Sequence, residues 1–305
     1  MMDWTDRHCR FFLRQVSCRV RLYTEMITTG ALLHGDVRRH LEFSKEEHPV
    51  ALQLGGSEPA ELAHCAKLGE QYGYDEINLN IGCPSERVQK GAFGACLMAE
   101  PELVSECVKR IRDEVRVPVT VKHRIGIDSI EDYSFLHDFV KTVSEAGCGT
   151  FIVHARNAVL KGLSPKENRE VPPLKYDYVY RLKRELPGLE IVINGGIHSL
   201  EDIQTHLKHV DGVMIGRAAY HNPWMLADPG KTRAEVVHKM KRYCESSKDP
   251  VLRHVTRHML GLYYGHPRAR LWRRMLSDPA LRDKNDPRVL LDALEVVESP
   301  VRIAA

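Results

Sequence analysis

No two of the eight cysteines stand in a C-x-x-C pair, and their positions (9, 18, 65, 83, 96, 107, 148 and 244) make no dense framework. That argues against a disulfide scaffold and against structural zinc, so no metal is expected, and it suits a reducing, cytoplasmic setting. There is no run of eighteen apolar residues and no signal-peptide pattern, so a membrane partner is not expected. Strong charge of one sign is missing too. The formal net charge is only +3, which leaves local patches as the only source of nucleic-acid affinity. Finally, no G-x-G-x-x-G follows a strand, and nothing indicates a separate dinucleotide-binding domain.

What is present is length and alternation. A chain of 305 residues holds one large domain, or a large one with a smaller appendage. Strand-like runs alternate with helix-like runs, the pattern of an α/β fold with parallel strands. Strands are expected at Arg21–Met26, Val50–Leu54, Glu76–Leu79, Val119–Lys122, Thr150–His154, Ile191–Asn194 and Gly212–Ile215. Helices are expected at Arg7–Gln15, Glu58–Gln71, Pro101–Arg112, Ile130–Glu145, Asp177–Glu185 and Leu200–Lys208, the last capped by Ser199. Seven strands are one short of a (β/α)8 TIM barrel. Met1-Met2-Asp3-Trp4-Thr5 reads as the tail of the missing strand, with the rest of it upstream.

One stretch organises the reading. In Asp75–Ser85, apolar Ile77, Leu79 and Ile81 alternate with polar Glu76, Asn78 and Asn80, and the run then breaks at Gly82-Cys83-Pro84. Proline has no N–H for the ladder, so a thiol is set on a loop just past a strand's end. Alone, this is as well explained by an ordinary turn. Other strands, however, also end on residues able to do chemistry: Gln53, Lys122, His154, Asn194-Gly195-Gly196 and Gly216-Arg217. In a barrel those ends form one face, where active sites are built. Glycines after the last two strands let backbone N–H groups approach a phosphate, and Arg217 can add a charge-assisted bond. A phosphate-bearing cofactor follows, with Lys122, His154 and Gln53 able to face a flavin.

Two further segments carry charge. Ala155–Pro173 is a nineteen-residue loop, mildly basic through Arg156, Lys161, Lys166 and Arg169. After Pro223 the strand signal stops. From Arg233 to Arg274 there are eleven Lys or Arg against Glu235, Glu245 and Asp249. Apolar residues recur there at helical spacing, with Tyr243, Tyr263, Tyr264 and Trp272 among the charges, which suits a helical domain facing backbone phosphates. The expected division is a catalytic barrel over residues 1–225 and a helical, phosphate-facing domain over 226–305.

These residues resemble the tRNA-dihydrouridine synthase family, in its A-type bacterial branch. The resemblance rests on Met2–Asp6, His48–Gly55, Asn78–Ser85, Val121-Lys122, His154–Arg156, Asn194–Ile197 and Gly216-Arg217. Gly162–Arg169 and Arg257–Leu262 are similar to the A-type branch in particular, and coverage is nearly the full chain. Met1 matches the end of the family's first strand, which contributes to flavin binding.

The resemblance implies an FMN enzyme, reloaded by NADPH, that reduces uridines 20 and 20a in the tRNA D-loop. FMN would be held by Met1, Gln53, Lys122, His154, Asn194, Gly195, Gly196, Gly216 and Arg217. Cys83 would give a proton to C5 of the uracil, because an ordinary thiol is mostly protonated at neutral pH. Asn80 and Arg156 would bond the uracil edge, Lys166 and Asn168 would meet the tRNA, and Arg270 and Arg273 would grip it from the helical domain. A monomer without a DNA partner is expected. Two rival readings stay open at this point: an FMN barrel acting on a small pyrimidine, and a tRNA-binding protein without catalysis.

Overall fold

The computed structural model describes residues 1–247 and 251–299. Seven parallel strands pair in chain order: β1 (Leu22–Thr28), β2 (Val50–Gly55), β3 (Glu76–Ile81), β4 (Val119–Arg124), β5 (Thr150–His154), β6 (Glu190–Asn194) and β7 (Gly212–Met214). Every crossover carries at least one helix, which is the architecture of a (β/α)8 barrel. The longer crossover helices are Pro59–Tyr72, Pro101–Glu114, Tyr133–Glu145 and Tyr176–Glu185. Among the described residues no helix is long and apolar enough to cross a membrane.

Alternation along the strands builds the core. Leu52, Leu54, Ile77, Leu79, Val121, Phe151, Val153, Ile191 and Ile193 are all buried, together with Leu62, Val104, Ile111, Leu136, Phe139, Val179 and Leu182 of the crossover helices. Packing is tight enough to require glycine at one crossing. A Cβ on Gly69 would stand 2.4 Å from Leu52 Cδ2. Residues of opposite parity share the other face, and the register aligns them: Gln53 with Asn78, Asn78 with Thr120, Asn80 with Lys122, and Arg124 with His154.

All seven expected strands form, and β3 and β4 each run two residues further than expected. Two local expectations are corrected. The helix read from Ile130 starts at Tyr133, because Ile127 and Ile130 exchange backbone hydrogen bonds of 3.1 and 2.8 Å in a tight turn. The stretch Met1–Thr5 is not a strand tail. Residues 2–4 form a turn, with Asp3 at φ 61°.

The helical unit has its own core, in which Trp272, Tyr263, Met240, Leu252, Val255, Met259, Leu290 and Val297 are buried. Its main helices are Arg233–Ser246, Leu252–Met259, Ala269–Ser277 and Val289–Glu298. The unit comprises Met2–Val20, Ser44–Glu47 and the chain from Arg217 onward, which differs from the expected boundary at 225/226. The helix Arg7–Val16 joins it because Phe11, Phe12 and Val16 complete its apolar core. A buried ion pair within the unit, Arg10 Nε to Glu47 Oε2 at 2.6 Å, ties that helix to Ser44–Glu47. Burial pushes the Glu47 carboxyl up, and Arg10 opposes that rise.

Candidate active site

The site begins with the loop after β3. Asn80, the last inward residue of that strand, turns its Oδ1 to the loop and accepts from the Gly82 and Cys83 N–H groups at 3.1 and 2.9 Å. The Cys83 carbonyl accepts from Ala95 N at 3.0 Å, so the loop is held on both sides. The Cys83 thiol itself is half-buried and 3.6 Å from Ser85 Oγ. Asn80 Nδ2 donates to Gln53 Oε1, and Gln53 Nε2 donates to Asn78 Oδ1, both at 2.8 Å. The amides of three residues on β2 and β3 therefore stand in one bonded row.

Cations fill the adjoining strand ends. Lys122 is half-buried, and its ammonium is pushed down to about 8 by burial and by the neighbouring Arg124, partly offset by Cys83. Burial also lowers Arg124, to about 10. That guanidinium is a structural clasp. Its Nε donates to Gly82 O at 3.2 Å, and its Nη1 donates to Asn157 O at 3.1 Å and Asn168 O at 2.8 Å. His154 is held well below the ordinary histidine range by burial, then by Arg124, Lys122, Arg156 and Arg169. That favours the neutral ring, and among the described residues its buried Nδ1 has no hydrogen-bond partner.

The glycine turn lies against this ring. Gly195 and Gly196 have φ of 109° and 69°, a conformation that strains any other residue. A Cβ on Gly195 would sit 3.0 Å from His154 Nε2, and one on Gly196 2.5 Å from Leu174 Cδ1. Tyr176 O–H supports the turn by donating to Gly195 O at 2.7 Å. Gly216 keeps the next strand end open beside Met1, whose Sδ would be 3.3 Å from an added Cβ. The arrangement fits a phosphate-bearing, planar cofactor. It offers a positively charged floor, an imidazole beside it and a glycine turn with no side chains of its own.

The expected residues divide into three groups. Gln53, Asn80, Cys83, Lys122 and His154 come together, with Gly195 and Gly196 beside His154. Asn194 serves by holding the turn, since its Nδ2 donates to Met214 O at 2.7 Å and its carbonyl accepts from Ala155 N at 2.9 Å. Arg156 is drawn into the 155–173 loop, where Nη1 donates to the carbonyls of Glu170 and Pro172. Asn168 is corrected. It is fully buried, its Nδ2 donating to Val159 O at 2.9 Å and its Oδ1 accepting from Val159 N at 2.8 Å, so it shapes the loop and is not presented to a partner. Lys166 is exposed on the same loop.

In the helical unit, Arg270 and Arg273 are exposed on the helix Ala269–Ser277, and Arg217 opens the short helix Arg217–His221. The aromatics there do not form an exposed stripe. Trp272 and Tyr263 are core residues, Tyr243 stacks on Phe11 with ring centroids 4.0 Å apart, and Tyr264 alone of the four is exposed. Lys248 and Asp249, part of the charge count, lie outside the described residues. Sequence reasoning missed Arg124, Asn78 and Thr120. Their signal was parity with Asn80 and Lys122 on the same strand faces.

Comparison with known proteins shows the family. The family model described as dihydrouridine synthase matches residues 1–298. A Salmonella typhimurium protein named tRNA-dihydrouridine(20/20a) synthase is 58% identical over 310 residues, covering 97% of this chain and 93% of that protein. Proteins of the same name are 59% identical over 292 residues in Shewanella oneidensis (92% of this chain, 87% of the relative) and 58% identical over 310 residues in Escherichia coli K12 (97% and 90%).

Proposed function

Because the chain belongs to the dihydrouridine synthase family, we propose that it reduces uridine to 5,6-dihydrouridine in the D-loop of tRNA, at the positions 20 and 20a named for its relatives. FMN is the resident flavin and NADPH its reductant. The observation that carries the reading is half-buried Cys83, its backbone N–H held by Asn80, beside Lys122, Arg124 and His154. The protein acts in the cytoplasm as a monomer, with the barrel as catalytic domain and the helical domain as the grip on tRNA.

Met1, Gln53, Lys122, His154, Gly195, Gly196, Gly216 and Arg217 would hold FMN, with Asn194 fixing the turn that meets it. When bound and reduced, the flavin supplies a hydride to C6 of the uracil. Saturating the C5–C6 double bond then requires one proton at C5. The Cys83 thiol delivers it as general acid and is left as thiolate. Lys122 and Arg124 act electrostatically on that sulfur, so the charge it acquires forms beside two cations. Reprotonation from solvent completes the cycle. Asn80 keeps one N–H for the uracil edge after its two roles in the row and the loop, while Arg156 and Lys166 place positive charge on the adjoining loop. The target base has to leave its stack to reach this site, and extrusion is easiest in a loop that is only partly paired.

The test is dihydrouridine formation on unmodified tRNA in the presence of FMN and NADPH, alongside Cys83→Ala. The expected outcome is product with the parent. The variant should keep flavin reduction but form product about 10²–10⁴-fold more slowly, the usual worth of general acid assistance. Turnover of free uridine or orotate in place of tRNA would support the small-pyrimidine reading. Wild-type rates in Cys83→Ala would remove the acid.

A further inference from the structure

A hydrogen-bonded relay crosses the barrel's inner face from a buried carboxylate to the Cys83 loop. It starts at Glu76, which is 1% exposed at the first position of β3. Glu76 Oε1 accepts from Thr120 O–H at 2.6 Å and from Tyr23 O–H at 3.1 Å, while Arg21 pairs with Oε2. Thr120 Oγ1 accepts from Asn78 Nδ2 at 2.8 Å. From Asn78 the row continues through Gln53 and Asn80 to the Gly82 and Cys83 N–H groups.

Every donor in this row points the same way. A carboxylate only accepts, so Thr120 must spend its single proton on Glu76 and can only accept from its other neighbour. Asn78 therefore turns its NH2 to Thr120 and its oxygen to Gln53. Gln53 in turn presents its NH2 to Asn78 and its oxygen to Asn80, whose own oxygen is left for the loop. Reversing the row would set Asn80 NH2 against two backbone N–H groups and leave Thr120 facing the carboxylate without a proton. An amide can ordinarily be turned over at little cost. Here the two ends of the row forbid it, and Asn78 and Thr120 are too deeply buried for water to repair a mismatch.

We propose that Glu76, Thr120 and Asn78 are positioning residues that fix the orientation of the Gln53 and Asn80 amides, and through them the Cys83 loop. None of the three meets substrate in this scheme. They determine which edge of Gln53 faces the cofactor and which atom of Asn80 remains for the uracil, so the inference rests on the proposed reaction for its catalytic consequence. It also has a structural consequence that needs no reaction. The Gly82 and Cys83 amides stay protected only while Asn80 offers them oxygen.

The test uses full-length, FMN-loaded protein and two near-isosteric variants. Thr120→Val removes the hydroxyl and Thr120→Ser keeps it. Hydrogen–deuterium exchange over residues 80–84 should rise several-fold in Thr120→Val and stay at the parental rate in Thr120→Ser. In the tRNA assay, kcat should fall about tenfold in Thr120→Val with KM for tRNA unchanged, the scale of one buried hydrogen bond, and Thr120→Ser should restore it. Parental exchange and kcat in Thr120→Val would overturn the relay, as would equal losses in both variants. Absence of dihydrouridine from the parent would instead sink the proposed reaction, while the exchange measurement would still decide the relay.

Discussion

Raising the pH from 7 to 9 should weaken cofactor binding about tenfold, and Lys122 is the reason. Its ammonium is pushed down from an ordinary 10.5 to about 8, first by burial and then by Arg124. At pH 7 about nine-tenths of these side chains are charged, and at pH 9 about one-tenth are. If only the charged form holds the anionic cofactor, the dissociation constant scales with the inverse of that fraction, giving the factor of about ten. Binding should also take up protons, about three-quarters of one at pH 8.5, because the bound anion restores the charge. The sign for the free protein is opposite. Between about 8 and 10.5 the unfolded chain binds more protons at this lysine than the folded chain does, so the lysine's own effect is to raise folding stability with pH across that window. Flavin fluorescence titrations at pH 7, 8 and 9, with calorimetry in buffers of different ionisation heat, measure both quantities. Lys122→Met is the control and should bind weakly with no slope. A dissociation constant flat from pH 7 to 9, or the same slope in Lys122→Met, would refute the reasoning.

Two further outcomes test other parts of the molecule. Replacing exposed Arg270 and Arg273 by Ala should weaken tRNA binding and flatten the salt slope by about 0.7–0.9 for each phosphate that is no longer neutralised, while flavin reduction by NADPH is unchanged; a filter-binding salt series with the parental slope would remove both arginines from the interface. His123, fully buried against Phe139 and Phe151, is lowered by burial to about 4. The unfolded chain therefore binds its proton first as pH falls below 6.5, and the fold loses stability down to about 4. Urea melts at pH 7 and 5 should show a smaller loss in His123→Phe, and equal losses would exclude this histidine as the cause.

The barrel was legible because its outward faces obey a simple rule. Ile77, Leu79 and Ile81 must meet the crossover helices, so they are apolar at every second position and buried. Element ends were less legible. Asn80 and Lys122 looked like strand ends because polar residues usually stop a strand, yet the ladder runs on to Ile81 and Arg124. Membership of the helical unit was not legible at all. The amphipathic pattern of Arg7–Val16 says that Phe11, Phe12 and Val16 seek an apolar surface, but not which one. Trp272 shows the same limit. Arg270, Arg273 and Arg274 stand close to it in sequence, but its Nε1 donates to Met259 O at 2.9 Å inside the core.

The candidate face was picked out by the rule that chemistry gathers where barrel strands end, which singled out Cys83, Lys122 and His154. The same rule passes over Glu76, Asn78 and Thr120, because they lie within strands, where period-two reasoning assigns a polar residue to solvent. Low on the inner face no solvent meets them, and Asn78 is fully buried with Glu76 and Thr120 each 1% exposed. Parallel strands buried on both faces are expected to be almost continuously apolar. Every inward position from Glu76 to Asn80 on β3, and from Thr120 to Arg124 on β4, breaks that expectation. Each such break obliges the buried group to find a partner, and two adjacent strands that break it in register find their partners in each other. The departure from hydrophobicity was in the sequence from the start. Reading it required knowing that these two strands pair in register, so that polarity inside β3 and β4 marks a bonded row beneath the candidate site and not a wet surface.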